Sequence, residues 1–168
     1  MLPYILPFIC GVLTKLSDRI VDEQICSRKY GMVTSTLCGI VAALIIKYIP
    51  SVTELVIGVI VGVIISKKID NVIHFLTLLV FAIAIYLFSV TTLLGISFGV
   101  LIFFTLSTVA DEVLVDIAKQ DKNKLSFILK QRLLLDIAAF LYSYYTGLWS
   151  IFISILLFDI GYRLVNFL

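Results

Sequence analysis

The chain has 168 residues, 61% of them hydrophobic and only 14% charged, with a formal net charge of +2. A soluble domain carries roughly a quarter of its residues as charged side chains, so a composition this apolar, with a mean hydropathy of +1.15, excludes the ordinary soluble classes. From Asn71 to Ala110 forty consecutive residues hold no Asp, Glu, Lys or Arg, enough for two membrane crossings of about 20 residues each.

Apolar runs and their punctuation predict an all-α, polytopic membrane bundle of about seven spans. The first, near 2–21, lacks the basic region and small-residue cleavage site of a signal peptide, so it is read as a span. It runs into "KLSDRIVDEQ" at Lys15–Gln24 and a charged stretch at 22–30. Further spans are expected near 31–49, 52–66, 71–90, 93–111, 131–146 and 148–166. Pro50-Ser51, Lys67-Lys68, Thr91-Thr92, the polar segment 112–130 and Gly147 separate them. The third and sixth are short and need a steep path or a locally thin bilayer. If 131–166 were one helix, the count would be six.

Numbering the loops alternately places eleven of the thirteen basic residues on one side, all but Lys15 and Lys47. Bases gather on the cytoplasmic side of membrane proteins, so the N-terminus is expected outside and the C-terminus in the cytoplasm. Of the acids, only Glu54 falls on the outer side. Tyr142, Tyr144, Tyr145 and Trp149 read as an aromatic belt at the outer interface. The one-sided bases explain topology and contact with anionic lipid, not nucleic acid. Cys10, Cys26 and Cys38 have neither CxxC spacing nor an even number, which leaves buried or interfacial thiols as their reading.

"LTKLSDRIVDE" at 13–23 resembles "LSTVADEVLVD" at 106–116, and "KKIDNVIHFL" at 67–76 resembles "LFDIGYRLVNFL" at 157–168. Four spans separate the two acidic stretches, so both copies point the same way. A parallel duplication within one transmembrane domain, 1–168, follows: one repeat near 2–66, a connecting span near 71–90 and a second repeat near 93–166. Parallel repeats occur in transporter folds.

Each acidic stretch carries two carboxylates at i and i+4, Asp18 with Asp22 and Glu112 with Asp116. Such pairs share a helix face and repel each other unless a cation sits between them. Mg²⁺ is commonly held by one or two carboxylates plus phosphate oxygens. Arg28, Lys29, Lys119, Lys122 and Lys124 stand near enough in the chain to meet phosphate charge. A plainer reading pairs the acids with neighbouring bases, as Lys15 or Arg19 with Asp22. It also makes Arg132–Asp136 and Asp159–Arg163 helix-surface ion pairs, and leaves His74 beside Asp70 with an interfacial hydrogen bond.

The layout resembles the UbiA superfamily of intramembrane prenyltransferases, all-helical and duplicated, with two aspartate-rich motifs four spans apart. The first motif falls on Thr14, where the family has Asn, on Asp18 and Asp22, and on the trailing base Arg28. The second falls on Glu112 and Asp116, followed by Lys119 and Lys122. The resemblance implies Asp18, Asp22, Glu112 and Asp116 as catalytic metal ligands for Mg²⁺, with Arg28, Lys29, Lys119 and Lys122 binding the cofactor-bridged diphosphate. The substrate it implies is a prenyl or lipid diphosphate, whose departure leaves an allylic cation for an acceptor. Two other classes stand beside it: a small-solute or ion transporter or channel, and a non-catalytic membrane scaffold subunit. Acids are scarce in the middle of the spans, where a transport path needs polar groups.

Overall fold

Long runs of Leu, Ile, Val and Phe without an interior proline favour continuous helix, and the computed structural model of the chain is all-helical. It describes residues 2–24, 27–69, 71–120 and 133–165, with no strand among them. The helices are α1 (Ile5–Asp22), α2 (Arg28–Tyr48), α3 (Thr53–Ile65), α4 (Val72–Leu93), α5 (Phe98–Gln120), α6 (Leu133–Thr146) and α7 (Trp149–Leu164). Short 3₁₀ turns at Leu2–Tyr4 and Pro50–Val52 lead into α1 and α3. Pro7 lies in the first turn of α1, where its missing N–H leaves no intrahelical bond unmade. Asn71 starts α4 by accepting the Ile73 N–H at 3.0 Å. Gly147, at φ +76, takes a backbone conformation costly for other residues and separates α6 from α7, so 131–166 is not one helix.

The largest difference from the expected boundaries is at α5. The sequence suggests a break after 111, yet α5 runs on to Gln120. Val115 and Ala118 are buried, so the apolar face continues past the first acids and the second acidic stretch lies on the helix rather than in a loop.

Contacts fix the helix directions. On α1 and α2, Ser17 meets Thr34 and Cys10 meets Cys38, an antiparallel pair. Asp111 of α5 meets the start of α6 while Phe104 packs on Tyr142, again antiparallel. Three pairs run in the same direction: α1 with α7, α2 with α4, and α3 with α5. Gly39 lies on Thr77 and Phe81, and Gly58 and Gly62 lie on α5 between Leu101 and Thr108. Small residues let helix backbones approach closely.

Directions therefore alternate along the chain, and one end of the bundle gathers the end of α1, the starts of α2, α4 and α6, and the ends of α3, α5 and α7. Lys47 and Glu54 lie at the opposite end. Inside, several hydroxyls stand among the apolar core: Ser17, Ser35, Thr105, Thr108, Ser143 and Ser154 are buried. Outside, large apolar side chains are exposed, among them Phe75, Leu79, Ile83 and Leu87 on α4 and Ile102, Leu106, Val113 and Ile117 on α5. By length and composition α2 and the Phe98–Ala118 part of α5 could cross a membrane, and Pro50–Ile65, Val72–Phe88 and Leu133–Thr146 are shorter apolar helices.

Candidate functional site

The charged end is organised first by the α1–α7 crossing. A side chain on Gly11 would fall on the Phe158 carbonyl, and one on Gly161 on the Phe8 carbonyl. The two backbones touch, and this contact brings Tyr162 of α7 to the first acidic stretch. Tyr162 Oη donates to Asp18 Oδ2 at 2.8 Å, and Lys15 Nζ lies 5.0 Å from the centre of the Tyr162 ring, a cation–π distance. Arg19 donates to the Val165 carbonyl at 2.9 Å and pairs with Glu23 at 3.1 Å. Arg19, one of the two bases expected beside Asp22, thus bonds Glu23 and the end of α7. The side chain of Asp22 lies outside the described part.

The second stretch is built differently. Asp111 is 4% exposed, and its carboxylate accepts the Leu134 N–H at 3.0 Å and the Leu135 N–H at 2.7 Å. Those donors belong to the first turn of α6, which no intrahelical carbonyl can satisfy, and the negative charge also suits the helix's positive end. Glu112 is 3% exposed. Its Oε2 is 4.0 Å from Lys68 Nζ, which donates to both oxygens of Asp116 at 2.7 Å. The cation that the i, i+4 pair requires is supplied by the chain itself, from the segment between α3 and α4.

Between the two stretches lies a third group of ionisable residues. Asp136 of α6 lies beside Asp159 of α7, with Arg163 and Asp111 near. Arg163 pairs with Asp159 at 3.1 Å, the expected i, i+4 bridge. Arg132, the other expected partner of Asp136, lies outside the described residues, as do Asp70 and Cys26. Cys10 and Cys38 are buried free thiols with sulfurs 3.9 Å apart.

Of the four predicted ligands, the side chains of Asp18, Glu112 and Asp116 are described. Asp18 faces α7, whereas Glu112 and Asp116 face Lys68. Among the described residues no three His, Cys, Asp or Glu side chains are grouped to hold a metal ion. Arg28 and Lys29 are exposed at the start of α2. Arg28, Gln24 and Asn71 line a cleft of about 440 Å³ with Ile20, Val21 and Ile73. The Lys119 side chain and all of Lys122 and Lys124 lie outside the described part.

Three residues that organise this end were not singled out in the sequence: Asp111, Lys68 and Tyr162. A signal for Asp111 was present, because it occupies the same place in "LSTVADEVLVD" as Asp18 in "LTKLSDRIVDE". Comparison with known protein families, with curated proteins and with solved structures finds no match for the chain.

Proposed function

We propose that the chain is a multi-pass membrane protein of about seven spans, with its N-terminus outside and its C-terminus in the cytoplasm, serving as a non-catalytic scaffold or assembly subunit. Support for the membrane comes from the surface, which is covered by large apolar side chains. A contiguous apolar exterior of this kind is rare on a soluble monomer. Alternating helix directions favour seven crossings, and the gathering of charge at one end favours that end as cytoplasmic. Tags at both termini test the topology; finding both on one side would refute seven crossings.

The scaffold reading rests on one observation, the Lys68 ammonium seated on Asp116 and beside Glu112. With Asp111 capping α6, the second acidic stretch is engaged in holding α3, α5 and α6 in register.

A second reading keeps the enzyme that the resemblance to prenyltransferases implies. It is favoured by the cleft at Arg28, Gln24 and Asn71, because Asp22 stands in the chain between two of its lining residues, Val21 and Gln24. The α5 pair does not fit a metal, since Lys68 occupies it, so this reading rests on the α1 stretch. There Asp18 and Asp22 would hold Mg²⁺, while Arg28 and Lys29 meet the diphosphate of a prenyl or lipid substrate. Purified protein given Mg²⁺ and labelled prenyl diphosphates separates the two. The scaffold predicts no release of diphosphate. Mg²⁺-dependent release that disappears in Asp22→Asn would establish the enzyme instead.

A further inference from the structure

We infer that the end of the bundle opposite the charged one carries a binding site for a primary ammonium group. A cleft of about 400 Å³ opens there between the starts of α3 and α7 and the ends of α4 and α6, lined among others by Ser51, Glu54, Thr91, Thr92 and Tyr142. Its chemistry is one-sided. Glu54 is a carboxylate at an end of the bundle otherwise poor in acid. No lysine or arginine lines the cleft. Lys47, the one described base at this end, is turned to aromatic rings instead, 5.7 Å from the Tyr48 ring centre and 5.4 Å from that of Phe88.

Glu54 Oε1 accepts the Ser97 N–H at 3.2 Å. Its other oxygen, the Tyr142 hydroxyl and the Thr91 hydroxyl have no hydrogen-bond partner among the described residues. Three residues carrying an acceptor oxygen thus line one cleft, and a primary ammonium offers three N–H donors and no acceptor. Thr91 and Thr92 lie near the end of α4, where the helix dipole is negative and favours a cation. Glu54, in the first turn of α3, offsets the positive end of that helix. One carboxylate among hydroxyls suits a singly charged organic cation better than a divalent metal, which takes more oxygen ligands and usually more negative charge. The ammonium could belong to a lipid head group or to a free amine, and the site recognises the same group in both. This site lies at the other end from the acidic stretches and does not depend on either reading of them.

The test uses the full chain purified in non-ionic detergent, with thermal unfolding followed in rising ethanolamine hydrochloride and in matched sodium chloride. A parallel arm compares short-chain phosphatidylethanolamine with short-chain phosphatidylglycerol. A ligand that binds the folded state raises Tm in a saturable way, so ethanolamine, or its lipid, should raise Tm beyond the salt or phosphatidylglycerol control. Glu54→Gln keeps an acceptor for Ser97 but removes the charge, and should weaken the apparent affinity by about tenfold or more. Tyr142→Phe keeps the ring packed on Phe104 and should weaken binding by a few-fold with the unliganded Tm little changed. A shift with the lipid alone assigns the lipid as source, and a shift with both shows that the free amine suffices. No shift beyond the controls in either arm, or an equal shift in Glu54→Gln, overturns the proposal.

Discussion

The two acidic stretches read almost alike in sequence and behave differently in the structure. On α5, Asp111 and Glu112 are inside the bundle, one bonded to the first backbone N–H groups of α6 and the other beside Lys68. On α1, Asp18 is half-buried and bonded to the Tyr162 phenol, and Arg19 and Glu23 form an i, i+4 bridge with Glu23 well exposed. The difference comes from the neighbours. α5 is covered by the start of a later helix and by the turn after α3, whereas α1 meets the last turns of α7. Similar spacing on two helices therefore does not give similar roles; what each carboxylate does is set by the element lying across from it.

Substitutions can sharpen or break that contrast. The largest loss is expected for Asp111→Ala, which strands two N–H groups of α6 in a buried place. A destabilisation of about 3 kcal/mol is expected, read as the shift in chemical or thermal unfolding in detergent. A loss below that of Tyr162→Phe would show that α6 does not depend on its carboxylate. Next comes Lys68→Met, which removes a cation from beside the buried Glu112 and should cost about 2 kcal/mol. Adding Glu112→Gln should recover much of that loss, so a double-mutant cycle on the two positions measures their coupling. Strictly additive effects would mean that Lys68 acts on Asp116 alone.

Tyr162→Phe removes the hydroxyl bonded to Asp18 and should cost about 1 kcal/mol, as should Asp18→Asn if that bond is the main role of the carboxylate. Unequal losses would indicate a further task for Asp18, which the enzyme reading requires. The smallest effect is expected for Glu23→Gln, about 0.3 kcal/mol and reduced further by salt, because exposed i, i+4 bridges contribute little. A loss comparable with that of Asp111→Ala would remove the distinction between the two stretches.

The seven α-helices of the described residues were legible because their apolar runs are long and their breaks are marked by Pro50, Lys67-Lys68 and Gly147. The end of α5 was not, since hydropathy drops at Asp111 and Glu112 although the helix continues. A helix tolerates those acids when tertiary partners receive them, and the partners lie far away in the chain: Lys68 is 48 residues from Asp116. For the same reason the need for a cation between Glu112 and Asp116 could be read from spacing, while its identity could not. Asp111 was passed over because its donors are backbone groups, which leave no trace in side-chain patterns. The buried Cys10 and Cys38 matched the plain reading of their thiols, a property that follows from residue type alone.

The pairing of α1 with α7 also bears on how the bundle is assembled as the chain is made. The bond between Asp18 and Tyr162 spans 144 residues, so α1 meets its close-packed partner only when α7 has been synthesised. Until then Gly11 and its neighbours present a bare groove into which another helix can settle. α2 likewise waits for α4, and α3 for α5, so each helix of the first half has its closest same-direction partner at least one helix further on. Contacts so distant in sequence slow folding, and unfinished chains with vacant grooves are the species most exposed to wrong partners. Premature termination before α7 should therefore leave a chain that pairs promiscuously, and a chaperone that shields α1 during synthesis would have its largest effect on this step.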